Sequence, residues 1–503
     1  MTDSIIQINP KISITPLNHF KNKEVKCIHF LGISGIGMSA LATIAYQAGF
    51  IVSGSDLVLS DVSEALKNKG IKVFQGHDKS HVELIDLLVI TAASNNNNPE
   101  IIEAQQKNIP ILTRSEFLAH ILKDFNGIAI TGTHGKTTTS SMLAHSLKQC
   151  QISDNYIVGG QIKSLDNQNA HLGLGNLMVL EACESEAGFL KLYPEILTIT
   201  NIDFDHLNAY DNSKEKFLES LILFTQNIKT SGLLVLNNDC PNTQKIMPKI
   251  NKKYITFGFN ENSDFQAKNI KYHGFKTSFE VIEHNNNKAN KNYLINLQVP
   301  GKHNVLNALC AITILRNLGL DIKAIQEALQ LFTGSKRRFD TKEMVLSQKK
   351  ITLINDYGHH PAEIKATLET IKDAFCDKKL LYLYQPHRFS RTKAHFDEFI
   401  DAFLTLNEND HLILLKTYYA SEKEITGAKS IDLIKALEEK KDKIKHKNFN
   451  ISYYDNGIDK NHIDENLINL IKDNISDDGI ILVQGAGDIG YLYDQIASFS
   501  NNL

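Results

Sequence analysis

One stretch, Thr131-Gly132-Thr133-His134-Gly135-Lys136-Thr137-Thr138-Thr139, constrains this chain more than any other. An apolar run at 127–130 precedes it and a helical pattern at 140–147 follows. Strand, glycine turn, Lys-Thr and helix is the setting in which a phosphate-binding loop forms. The two glycines let backbone N–H groups approach an anion with no Cβ in the way. The helix N-terminus adds donors and the positive end of its dipole. Lys136 is then expected to reach the β- and γ-phosphates, and Thr137 to hold Mg²⁺. The loop departs from G-x-x-x-x-G-K-[ST] at its first position, where Ile130 stands. The plain alternative is a Gly-Lys-Thr turn before an ordinary helix.

Two more glycine turns follow strands. Residues 25–31 read as a strand running into Gly32-Ile33-Ser34-Gly35-Ile36-Gly37, then a helix at 40–48 and a strand at 50–53 ending in Gly54-Ser55-Asp56. In dinucleotide-binding domains an acid in the place of Asp56 holds a ribose hydroxyl. The glycine spacing is reversed from G-x-G-x-x-G, which argues against a nicotinamide and leaves a nucleotide diphosphate on the turn. Near the C-terminus, Gly485-Ala486-Gly487-Asp488-Ile489-Gly490 matches the motif literally. No later strand carries the acid, so this turn reads as close helix–strand packing.

Between them, chemistry-bearing residues recur at strand ends. A strand at 177–181 ends in Glu181, with Glu184 and Glu186 beyond; another at 196–200 leads to Asp203, Asp205 and His206. Such groups lie where open α/β sheets bind ligands, and Mg²⁺ takes few protein ligands, mainly carboxylates. A surface carboxylate is the plain alternative for Glu181. After short strands over 253–300, a helix from His303-Asn304 carries Asn307 one turn in. A second helix over 321–331 is expected to stop at Gly334, before the basic Lys336-Arg337-Arg338. Further on, a strand ends in Asn355-Asp356-Tyr357-Gly358-His359-His360, with Pro361 starting a helix. A strand at 380–384 leads into Gln385-Pro386-His387-Arg388-Phe389-Ser390-Arg391-Thr392. Repeated strand–helix units predict an α/β fold with parallel sheets.

A length of 503 residues suggests about three domains. The formal net charge of −3 argues against a large nucleic-acid surface, which usually needs clustered Lys and Arg. The densest charge run, 438–443, mixes signs and reads as a solvated helix face. None of the six cysteines shows C-x-x-C spacing, which speaks against a zinc or disulfide framework and fits a reducing cytoplasm. No apolar run approaches the ~20 residues of a membrane span. Residues 1–24 lack the apolar core of a signal peptide and read as a loosely ordered extension.

The motifs at 132–137, 181–186, 200–206, 303–307, 337–340 and 356–361, in that order, resemble those of the Mur ligases. The resemblance covers about residues 25 to 495. It implies three α/β domains: a Rossmann-like N-terminal domain for a UDP-sugar at 25–123, a central P-loop ATPase domain with a mostly parallel sheet at 124–340, and a C-terminal Rossmann-like domain at 341–503. It implies an ATP-dependent amide ligase acting through an acyl phosphate. The turns at 32–37, 385–392 and 484–490 look most like those of family members that join L-alanine to the carboxylate of UDP-N-acetylmuramate. By resemblance, Gly132, Thr133, His134, Gly135, Lys136, Thr137 and Thr138 bind ATP, with His303, Asn307, Arg338 and Asp356. Thr137, Glu181 and His206 hold Mg²⁺. His359, Arg388 and Arg391 form the alanine site and, with Lys136 and His206, the catalytic group. Gly32, Gly35, Gly37 and Asp56 meet the UDP-sugar. The resemblance further implies a cytoplasmic monomer or homodimer in peptidoglycan precursor synthesis. Cys183 replaces an acid of the family pattern and Asn355 another; no lysine stands near Ser220, where several relatives carry a carbamylated one. The rival readings are a ligase recycling murein tripeptide onto the same UDP-sugar, an NAD(P)-dependent dehydrogenase, and a nucleotide-binding protein without ligase activity.

Overall fold

The computed structural model describes residues 19–20, 23–91, 94–184, 187–205, 207–284, 289–444 and 448–499. The chain forms two compact units. The first comprises 1–271, 278–298 and 304–333; the second comprises 272–277, 299–303 and 334–503. The expected extension lies mostly outside the described residues; its end forms a short antiparallel ladder of β1 (His19–Phe20) and β2 (Lys23–Glu24).

The first unit holds two large sheets. One contains β3 (Cys27–Leu31), β4 (Ile51–Asp56), β5 (Lys72–Gln75), β6 (Leu87–Ile90) and β7 (Ile111–Thr113), all parallel, in the order β5-β4-β3-β6-β7. Strand order reverses beside β3, and the glycine turn at 32–37 leaves its carboxyl end, the usual ligand position of such sheets. The helix Arg114–Leu122 starts with a capping box, in which Thr113 and Glu116 each accept the other's backbone N–H.

The other sheet has ten strands: β8 (Asn126–Thr131), β9 (Asn155–Ile162), β10 (Gln168–His171), β11 (Leu177–Glu181), β12 (Ile196–Ile199), β13 (Leu233–Asn237), β14 (Tyr254–Gly258), β15 (Phe265–His273), β16 (Lys276–Glu283) and β17 (Lys291–Leu297). Their order is β10-β9-β11-β8-β12-β13-β14-β15-β16-β17; β9 through β15 in that order pair in parallel, and β10 runs antiparallel at the edge. Every residue of β12 and β13 is buried, which is why these strands read as continuous apolar runs rather than alternating ones. One apolar cluster runs from Phe30 and Phe117 to Phe189 and Phe224, so the two sheets share a core and form a single unit.

The second unit is built on six strands: β18 (Asp340–Leu346), β19 (Lys349–Asp356), β20 (Leu380–Tyr384), β21 (His411–Leu415), β22 (Asn450–Tyr454) and β23 (Gly479–Gln484). The order is β18-β19-β23-β20-β21-β22, parallel except for the β18–β19 hairpin. The chain is therefore a three-domain α/β protein with mostly parallel sheets.

Local signals held with shifts at the ends. The helix after the phosphate loop begins at Lys136, directly after Gly135. His360 caps the Pro361–Ala374 helix with Glu363 as its capping-box partner. The mixed-sign run falls in the Ser430–Asp442 helix and the turn after it. The second helix of that region, Ile322–Leu331, ends at Leu331 as expected, but its cap is the extended Phe332 and not Gly334. Phe332 is fully buried against His145, and its insertion into the core turns the chain out of the helix. Among the described residues, no helix is long and apolar enough to cross a membrane.

Candidate active site

The phosphate loop joins β8 to the Lys136–Gln149 helix. Gly132 (φ 123°) and Gly135 (φ 80°) take left-handed backbone that favours glycine. A Cβ on Gly132 would strike the Thr200 hydroxyl, and one on Gly135 the Asn307 side chain. The loop is held from the segment after β12. The Asn201 side chain accepts from the His134 N–H at 2.8 Å and donates to the His134 carbonyl at 2.8 Å. The Thr133 hydroxyl donates to the Asp203 carbonyl at 2.9 Å. Asn307 accepts from the Thr139 hydroxyl at 3.2 Å, which fixes the first helical turn.

Lys136 folds back over this loop. Its Nζ donates to the Gly132 carbonyl at 2.5 Å and the Thr133 carbonyl at 3.0 Å, and lies 2.9 Å from the Glu184 carboxylate. Burial is the largest single influence and works against its charge, but Glu184, Cys183 and Glu181 together outweigh it and raise the lysine above its usual range. Glu184 is itself buried.

At the end of β11, Glu181 accepts from the Thr137 hydroxyl at 3.2 Å, the Ser140 hydroxyl at 3.1 Å and the Gly159 N–H at 2.5 Å. A Cβ on Gly159 would lie 2.7 Å from Glu181, and one on Gly160 2.8 Å from the Thr137 methyl. The two glycines keep open a cradle lined by a hydroxyl and a carboxylate. These hard oxygen donors suit Mg²⁺, which takes one or two protein carboxylates and keeps its waters or phosphates. His206, expected as a ligand and catalytic group, lies outside the described residues, as do Ser185 and Glu186.

In the first sheet, Gly32 (φ 82°) begins the turn, and a Cβ there would lie 2.8 Å from the Thr91 methyl. Gly35 caps the Ile36–Gln47 helix, with Gly37 in its first turn. The turn hangs on the end of β4. The Ser55 carbonyl accepts from Gly32 at 2.8 Å and Ile33 at 3.1 Å, and the Asp56 carboxylate accepts from Ser34 at 3.0 Å.

In the second unit, Asp356 is a buried hub. It accepts from Phe339 N–H and Gly358 N–H at 2.9 Å each, from the Gln484 amide at 2.7 Å and from the Thr367 hydroxyl at 3.3 Å. His303 is pushed below its usual range by burial, against the pull of Asp356 and with the push of Arg338. Arg338 lies 3.9 Å from Glu363 and over the Tyr357 ring. His359 Nδ1 donates to the Tyr357 carbonyl at 3.1 Å, and its ring is 6.0 Å from that of His387. Arg391 donates to the His387 carbonyl at 3.3 Å. Arg388 is exposed, at φ 74°, just before the Phe389–Ala394 helix. Burial, then His359, Arg391 and Arg388, hold His387 down at about 3. Arg391, set beside the uncharged imidazoles of His359 and His387, supplies positive charge suited to a carboxylate.

The C-terminal glycine motif is filled by protein. A Cβ on Gly487 would lie 2.6 Å from the Gln385 side chain and 2.7 Å from the Tyr418 ring; one on Gly490 would lie 2.8 Å from the Arg337 guanidinium.

Three family models match in sequence order: the Mur ligase family catalytic domain at 27–126, the Mur ligase middle domain at 130–315, and the Mur ligase glutamate ligase domain at 337–487. The UDP-N-acetylmuramate–L-alanine ligase of Desulforapulum autotrophicum is 38% identical over 92% of this chain and 96% of its own. The chain belongs to the Mur ligase family. The enzyme of the same name from Geotalea daltonii is 39% identical over 93% of this chain and 96% of its own. Among solved structures, the UDP-N-acetylmuramate–alanine ligase of Thermotoga maritima matches with a TM-score of 0.77 and 29% identity, over 95% of this chain and all of that one. A murein peptide ligase from Psychrobacter arcticus shares the fold, with a TM-score of 0.67 at 23% identity over 95% of this chain and 99% of its own.

Within this Mur ligase, the geometry gives four residues roles that the motifs did not assign to them. Glu184 holds Lys136, the Asn201 side chain staples the loop, and Gly159 opens the Glu181 cradle. His387 stands between His359 and Arg391. Asn201, Glu184 and His387 sit inside motif stretches, where their position next to assigned residues was the available signal. Gly159 offered none.

Proposed function

We infer that this chain joins L-alanine to the carboxylate of UDP-N-acetylmuramate, with conversion of ATP to ADP and phosphate. It is an ATP-dependent amide ligase of peptidoglycan precursor synthesis. The observation that carries this reading is similarity along almost the whole chain to enzymes of that name, at 37–39% identity. The domains are assigned as 25–123 for the UDP-sugar, 124–340 for ATP and 341–503 for the C-terminal domain, in a cytoplasmic enzyme.

In the first step a muramate carboxylate oxygen attacks the γ-phosphorus of ATP, the bond to the β-phosphate bridge breaks, and ADP leaves. In the second the L-alanine amine attacks the acyl carbon, the C–O bond to phosphate breaks, and the amine proton passes to solvent. Charge accumulates on phosphoryl oxygens, so the protein acts mainly by positioning and electrostatic stabilisation. Lys136 exchanges Glu184 for the β/γ-phosphates, and the N–H groups of Gly135, Thr137 and Thr138, with Gly132, Thr133 and His134 shaping the loop, cradle them. Thr137 and Glu181 would hold Mg²⁺, with His206; bound there, the ion neutralises phosphoryl charge. Asn307 supports the loop from Gly135. His303, Arg338 and Asp356 are assigned to ATP, and Gly32, Gly35, Gly37 and Asp56 to the UDP-sugar. Arg388 and Arg391 receive the alanine carboxylate, and neutral His359 lies beside them.

The test is phosphate release from ATP with UDP-N-acetylmuramate and, in turn, L-alanine, glycine, L-serine or murein tripeptide, beside Lys136→Ala. Turnover with L-alanine that disappears in the variant is expected. Turnover only with tripeptide would replace this reading by the recycling ligase, and none at all by a silent nucleotide-binding protein.

A further inference from the structure

The first sheet hides a polar cluster that none of the roles above uses. Glu100 sits in the first turn of the Pro99–Gln106 helix and is fully buried. Its carboxylate accepts from the Ser55 hydroxyl at 2.6 Å and the Asp78 N–H at 3.4 Å. His81 Nδ1 lies 2.7 Å away, His29 Nε2 3.4 Å and His77 Nδ1 3.6 Å. His29 reaches the Ser53 hydroxyl at 2.8 Å, and His81 stacks on Phe74 with ring centroids 4.0 Å apart. Burial pushes Glu100 up, but the hydrogen bonds from His29 and Ser55 and the neighbouring imidazoles hold it at about 2.

A buried, surrounded carboxylate is a costly way to fill a core, and apolar side chains of similar volume often serve stability as well or better. What an apolar side chain cannot do is accept a hydrogen bond from the Ser55 hydroxyl. Ser55 is also the residue whose carbonyl receives the Gly32 and Ile33 N–H groups, and its neighbour Asp56 receives that of Ser34. A continuous chain of hydrogen bonds therefore runs from Glu100 through Ser55 to the glycine turn.

We propose that Glu100 is a positioning residue for the UDP-sugar site: by anchoring Ser55, it holds the 55–56 segment where that segment shapes the 32–37 turn. This rests on assigning the turn to the UDP-sugar. Glu100 touches no substrate. Its three imidazoles keep the carboxylate oriented, so the orientation of one buried side chain sets the placement of the turn's backbone donors.

The test is calorimetric titration of the full-length wild type, Glu100→Gln and Ser55→Ala with UDP-N-acetylmuramate and separately with ATP, together with steady-state kinetics. Both variants are expected to weaken UDP-sugar binding and raise its KM about tenfold, with the ATP Kd and saturated kcat within twofold of wild type. Ser55→Ala leaves the carboxylate among its imidazoles and decides the matter if Glu100→Gln does not fold. An unchanged UDP-sugar Kd in folded Ser55→Ala overturns the proposal alone. Equal losses in UDP-sugar affinity, ATP affinity and kcat also overturn it, since they mark general destabilisation. A wild type that binds ATP but no UDP-sugar overturns the assignment of the turn, and the proposal with it.

Discussion

Lys136 and Glu184 show how a single pair can be both support and reserve. The lysine is held by an acid and two carbonyls, so its charge is fully satisfied before any phosphate arrives. Glu184→Gln leaves that buried ammonium without its counter-ion and should cost about 3 kcal/mol in urea-induced unfolding. Saturating ATP should recover much of the loss, because binding to the folded state alone stabilises it. Gly159→Ala acts differently. Its Cβ would lie 2.7 Å from Glu181, so the carboxylate must swing off the Thr137 hydroxyl. The expected outcome is a rise in the Mg²⁺ concentration needed for half-maximal turnover, with a melting temperature close to wild type. Residues of this kind were legible only in part. Lys136, Thr137 and Glu181 stand in recognisable strings, but Glu184 and Asn201 act on partners 48 and 67 positions away. Distances across the fold, not neighbours along the chain, give them their work.

Elements divide along the same line. Buried parallel strands such as β12 and β13 are apolar on both faces and announce themselves. Strand β18, Asp-Thr-Lys-Glu-Met-Val-Leu, does not. Its first four residues are at least partly exposed, and its pairing with β19 makes it a strand. The Ile322–Leu331 helix ends at Leu331 because Phe332 enters the core, a tertiary cause that the Gly334 signal could not express. The literal Gly485–Gly490 motif is closely packed, since Gln385, Tyr418 and Arg337 occupy the space over it. Gly487→Ala should therefore destabilise the protein by about 1–3 kcal/mol in chemical unfolding. Titration of wild type with NADH, followed by fluorescence, should show no saturable binding.

At the scale of the whole molecule, histidines set the acid limit. His145, His303, His359 and His411 lie below their usual range, chiefly through burial, and His387 falls to about 3. In the unfolded chain each takes a proton near pH 6.5. Below that pH the unfolded state therefore binds more protons than the folded one, and stability falls as pH falls. Glu100 and Glu116, both held at about 2, extend the loss below pH 4.5. Urea midpoints measured from pH 8 to pH 5 should decline steadily, with the steepest part below pH 6.5; a flat profile would refute the account.

The staple on the phosphate loop also sets a timetable. Its side chains come from Asn201 and Asn307, both synthesised after the loop itself. About 170 residues separate Thr137 from Asn307, which at roughly 5–20 residues per second is on the order of 10–30 s of translation. During that interval the ribosome carries a glycine loop whose sequence is complete and whose scaffold is not. The ability to grip a nucleotide is thus acquired late, when a helix encoded far downstream settles against Gly135.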